Sequence, residues 1–181
     1  MGERGAGVYD PEMTTDPAPE HGDVQQQSTP AHPTAKDQLV LDLLRGRDTD
    51  AEDAANALGL TGLAYLDHLV AITARNSEQP RSTQLYTVLS AESVTLDHPA
   101  QPWFRERYAG LRATVAEALS EARDIGEIRG DADIDETATA IIAVMDGLQV
   151  QWLLAPDTVD MPAVLRRTLD ALLTALMPDE D

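Results

Sequence analysis

Apolar residues recur every three or four positions through most of the chain after Lys36, and short runs rich in Pro, Gly and Asp divide that pattern into separate stretches. The first, residues 36–48, places Leu39, Val40, Leu43 and Leu44 on one side of a short helix that stops near Gly46. An Ala-rich stretch, 50–58, ending at Gly59, predicts a second short helix. Thr61 is placed to cap a third that runs to about Asn76, with Leu63, Leu66, Leu69, Val70 and Ile72 as its apolar residues, and Pro80 then breaks the chain. Residues 81–94 predict a helix with Leu85, Val88 and Leu89 turned inward.

The clearest signal follows. Asp97 is read as a cap, with Pro99 and Pro102 near the first turn, where a missing N–H costs nothing. From there Phe104, Tyr108, Leu111, Val115, Ala118, Leu119 and Ala122 form a single stripe, which Gly126 ends. The stretch 134–155 has two apolar faces instead of one. Ala138, Ile141, Met145, Leu148 and Trp152 make the first, and Ala140, Val144, Gly147, Gln151 and Leu154 the second. At about 100° per residue the faces lie roughly 120° apart, so this helix needs cover on two sides. The last helix starts after Asp160, with Pro162 in its first turn and Met161, Leu165, Leu169, Leu172, Leu173 and Leu176 inward. No strand-like alternation of useful length occurs, and the chain is predicted to be all-α.

Residues 1–35 change the picture at the N-terminus. They hold five Pro, a QQQ run and six acidic residues against one Arg, with almost nothing to bury, and are expected to be a disordered acidic tail. The remaining 36–178 then form one helical domain. With only 4% aromatic residues, its core has to come from Leu, Ala, Val and Ile. The absence of Cys excludes disulfides, Cys-ligated zinc, iron–sulfur clusters and thiol catalysis. No signal peptide is visible, and the most hydrophobic window, about 140–155, is shorter than a membrane span and interrupted by Asp146. A soluble, cytoplasmic protein without membrane contact is therefore expected. Thirteen basic residues against thirty-two acidic give a formal charge of -19, a field that repels phosphate backbones and opposes DNA binding by this chain alone.

Four phrases carry a resemblance: EQPRSTQLYTVLSAES at 78–93, DHPAQPWFRERYAGLR at 97–112, GEIR at 126–129 and DGLQVQWLLAPDTVDM at 146–161. Together they resemble the C-terminal domain of TetR-type transcriptional regulators, over roughly Lys36 to Leu176. The resemblance implies an antiparallel helical bundle that encloses a small-molecule effector and pairs its last two long helices with a second copy. It implies ligand contacts from Tyr86, Trp103, Tyr108, Met145, Gln149 and Trp152, each of which is otherwise an ordinary core residue. It also implies a homodimer interface from Val144, Gly147, Gln151, Leu154, Leu165, Leu169 and Leu172. The family's N-terminal helix-turn-helix finds no counterpart in residues 1–35, so no DNA-binding residue is expected here. A head-less protein that pairs with a full-length regulator is the alternative reading.

His68 is read as a rim residue, His98 as a loop residue, and Asp146 as either bonding across the bundle or facing water. No nucleophile with its base, phosphate loop or HExxH motif is present, so neither catalysis, metal nor cofactor is expected.

Overall fold

The structure is a computed structural model, which describes Gln38, Leu41, Asp42, residues 44–46 and residues 57–178. The expected tail and most of the Ala-rich stretch lie outside the described residues. Gln38, Leu41, Asp42 and 44–46 are helical, in the segment where the first short helix is expected. Five further helices follow: α1 (Gly62–Glu78), α2 (Pro80–Glu92), α3 (Gln101–Asp124), α4 (Ile134–Leu154) and α5 (Met161–Leu176). No strand occurs among the described residues.

The helix ends show why the chain breaks where it does. Thr61 holds the capping position of α1 but makes no side-chain cap bond. Instead the Gly62 N–H donates to Glu121 Oε2 of α3 at 2.7 Å, so a distant carboxylate satisfies the helix start and complements its positive end. Gly62 has φ +53, which a side chain would strain. Only Gln79 separates α1 from α2, and Pro80 occupies the first turn of α2, where its missing N–H is harmless. Thr83 Oγ1 donates to the Asn76 carbonyl at 2.8 Å and locks that corner.

Asp97 does not cap α3. It sits in a left-handed turn with φ 62, and Ala100 takes the capping position. The proline at 99 holds His98 away from helical backbone, which delays the helix until the turn has passed. At the far end Gly126 adopts φ 82, and the Gly126 and Glu127 amides donate to the Arg123 and Ala122 carbonyls, a glycine-terminated helix as expected. Asp133 and Asp160 cap α4 and α5, accepting from Glu136 and Ala163 N–H at 2.9 and 3.0 Å.

The main core gathers Leu66 and Leu69 of α1, Val115, Leu119 and Ala122 of α3, Ala138, Ile141 and Leu148 of α4, and Met161, Leu165 and Leu169 of α5. A smaller cluster joins Leu41 and Leu44 to Tyr86, Ala100 and Phe104, so the first helical segment rests on α2 and the start of α3. The α3 stripe is buried as its spacing predicts. In α2 the expected face is wrong: Leu85 and Val88 are exposed, and Thr83 and Tyr86 are the buried residues. Their hydroxyls find partners, so a face that looks polar in sequence can enter the core. On the wet side of α5, Arg166 pairs with Asp67 of α1.

By length and composition alone α4 is apolar enough to cross a bilayer. Its first face is nevertheless packed into the chain's own core, with Ala138, Ile141, Leu148 and Trp152 buried. The second face is uncovered in the single chain: Gln151 and Leu154 are exposed, and Ala140, Val144 and Gly147 are half-exposed.

Candidate functional site

Where α1, α2, α3 and α4 diverge they leave a cavity of about 670 Å³ that also touches Asp42 and Gly46 of the first helical segment. Tyr65, Leu69 and Ile72 line it from α1, Tyr86 from α2, Trp103, Arg107 and Leu111 from α3, and Ile142, Met145, Asp146 and Gln149 from α4. A second cavity of about 420 Å³ lies beside it, with Tyr86, Asp146 and Gln149 belonging to both walls. Tyr108, Phe104, Val94 and Val150 line this smaller space.

The shared wall is a hydrogen-bonded unit that ties three helices. Tyr108 Oη of α3 donates to Asp146 Oδ2 of α4 at 2.7 Å. Because that uses its only proton, it accepts from Tyr86 Oη at 3.3 Å and from Ser90 Oγ at 3.0 Å, both on α2. Every proton in the unit is thereby directed toward the carboxylate. Burial pushes the Asp146 carboxyl above its ordinary range, while the Tyr108 bond and the nearby Arg107 charge pull it partly back. Burial likewise raises the Tyr86 and Tyr108 hydroxyls, which keeps both as donors.

Arg107 sits one turn after Trp103, with its guanidinium 5.0 Å from the Tyr86 ring centre and 5.9 Å from that of Trp103. Trp103 and Phe104 meet edge to face at 4.6 Å. The larger cavity is therefore aromatic on one side and carries a cation and a carboxylate within the same wall.

Of the six expected ligand residues, Tyr86, Trp103, Met145 and Gln149 line the larger cavity. Tyr108 lines the smaller one and anchors the shared wall. Trp152 lines neither; it is buried in the main core, because α4 turns that position toward α5 and away from α2. Sequence reasoning missed Arg107 and Tyr65, and it left Asp146 undecided. The spacing of Trp103, Arg107 and Leu111, four residues apart, held the missing signal. His98 is a loop residue whose Nδ1 accepts from the Ala100 N–H, and His68 lies against Tyr65 at the edge of the bundle. No grouping of three or more metal-ligating side chains occurs among the described residues.

Among the expected interface residues, Leu165 and Leu169 have no surface to offer a partner: both lie inside the chain's own core. The inward stripe of α5 is consumed by α1 and α4. Val144, Gly147, Gln151 and Leu154 remain accessible on α4, with Leu172 half-buried on α5.

Residues 66–177 match the family model described as BetI-type transcriptional repressor, C-terminal. This chain belongs to the TetR family of transcriptional regulators. The probable HTH-type transcriptional regulator ArpR of Pseudomonas putida is 37% identical over 59 residues, 33% of this chain and 28% of that protein. The HTH-type transcriptional regulator TtgR, from another strain of Pseudomonas putida, matches to the same extent. The aligned stretch thus spans 28% of either relative's length. No solved structure matches the chain. The TetR-family assignment agrees with the all-helical fold expected from the periodicity, and the relatives are regulators by name, not enzymes.

Proposed function

We propose that residues 36–178 form the effector-binding and dimerisation domain of a TetR-family regulator, with a small molecule held in the larger cavity and two copies paired through the uncovered face of α4. The cavity itself is the observation that carries the reading. At about 670 Å³ it falls within the range of small-molecule sites, and its wall combines rings and aliphatic side chains with a few fixed polar groups. Occupancy has a direct route toward the N-terminus. Asp42 and Gly46 touch the cavity, and Leu41 and Leu44 of the same segment rest on Tyr86 and Phe104. A ligand that displaces Tyr86 therefore repositions the segment that, by the family resemblance, leads to a DNA-binding head. With a net charge of -19 the chain itself is not expected to hold DNA.

Native mass spectrometry of the 181-residue chain, incubated with a library of aromatic small molecules, tests this reading. A dimer that takes up one ligand per chain, with uptake lost in Met145→Trp, is the expected result. Ligand uptake unchanged in Met145→Trp would place binding elsewhere.

A further inference from the structure

The chemistry of the shared wall narrows what the larger cavity accepts; the step rests on that cavity being the ligand site. Asp146 is held through one oxygen only. Oδ2 accepts the Tyr108 proton, and Oδ1 has no hydrogen-bond partner among the described residues. The carboxylate borders both cavities, so the unused oxygen is accessible to a guest. It cannot be satisfied from the Tyr86–Ser90–Tyr108 unit, whose protons are already directed at Tyr108 and Oδ2.

The opposite charge in the wall is differently placed. The Arg107 guanidinium already faces two rings, Tyr86 and Trp103, which supply electron density to it. An anion entering the cavity would gain that cation, but it would meet the Asp146 carboxylate across the same space and the field of a chain with formal charge -19. A cation gains both the carboxylate and the field. Tyr65, Tyr86 and Trp103 present flat surfaces, which suit a planar apolar body.

We propose that the larger cavity binds a planar, apolar ligand bearing a protonated amine, whose N–H donates to Asp146 Oδ1 while its body lies against Tyr86 and Trp103. The bonded donor distinguishes this ligand from a fully alkylated ammonium, which carries the charge without a proton to give.

Isothermal titration of the full 181-residue chain with naphthylmethylamine, its trimethylammonium analogue, naphthylmethanol and naphthoate tests the assignment. The primary amine is expected to bind about tenfold or more tighter than naphthoate and measurably tighter than the trimethylammonium compound, in line with a hydrogen bond to a charged acceptor. In Asp146→Asn the preference for amine over naphthoate is expected to fall to within about threefold while naphthylmethanol keeps its affinity. Naphthoate binding as tightly as the amine, or amine affinity unchanged in Asp146→Asn, overturns the charge assignment and leaves the cavity as a ligand site. No binding by any of the four to a folded wild-type chain overturns both. Circular dichroism of each variant establishes that a lost affinity is not a lost fold.

Discussion

Removing the Tyr108 hydroxyl is the most informative single change to the shared wall. Tyr108→Phe keeps the ring against Phe104 at nearly the same volume, yet deletes one donor and one acceptor that serve Asp146, Tyr86 and Ser90 together. A hydrogen bond to a charged group contributes about 1.5–3 kcal/mol, and a half-buried carboxylate left without its donor stands at the upper part of that range. For roughly 120 folded residues, 1 kcal/mol moves Tm by about 3–6 °C, so the variant should melt roughly 5–15 °C lower. Urea unfolding in a cycle with Asp146→Ala separates the pair from the rest: the Tyr108→Phe cost should fall by about 1–2 kcal/mol when the carboxylate is already gone. The pH dependence carries a sign as well. Burial raises the folded-state affinity of Asp146 for its proton, so its contribution is fully present below the unfolded carboxyl range and is lost as pH rises through the elevated folded value. Asp146→Asn, which cannot ionise, should remove that decline and be the more stable protein at neutral pH. A cycle with no coupling, or an Asp146→Asn chain that loses stability at neutral pH, would refute the account of this wall.

Two further perturbations separate the chain's own core from the proposed interface. Leu165→Ala empties a fully enclosed site and should cost about 2–5 kcal/mol in urea unfolding, whereas Leu154→Glu, at a side chain 82% exposed, should leave the dilute chain's stability within about 0.5 kcal/mol and abolish dimers in sedimentation velocity. At Gly147 an added Cβ meets no atom within 4 Å of the same chain, so Gly147→Ala should stabilise the single chain by about 0.5–1 kcal/mol while weakening association if two backbones approach there.

What could be read from the sequence was largely what one helix decides by itself. The α3 stripe, the glycine that ends it and the Asp160 start of α5 follow from local spacing and backbone chemistry, and the structure reproduces them. Choices made between helices were less legible. In α2 two faces share helical spacing, and the Thr83 and Tyr86 face wins because hydroxyl partners wait for it on neighbouring residues. Leu165 and Leu169 look the same whether a helix packs on its own chain or on a copy; only the position of α1 decides. The cavity residues Arg107 and Asp146 carried no apolar signal at all. Their roles depend on Tyr86, Trp103 and Tyr108 being brought beside them by three separate helices.

Hydrogen exchange of the 181-residue chain, with and without a ligand found by the binding screen, decides whether the guest sits among α1 to α4. The lining residues all fall in the first helical segment and in α1 to α4, and none in α5. Slowed exchange should therefore appear around Tyr65–Asn76, Tyr86, Trp103–Leu111 and Ile142–Gln149, with α5 unchanged. Protection confined to α5, or to the exposed end of α4 at Leu154, would contradict a ligand seated among these helices.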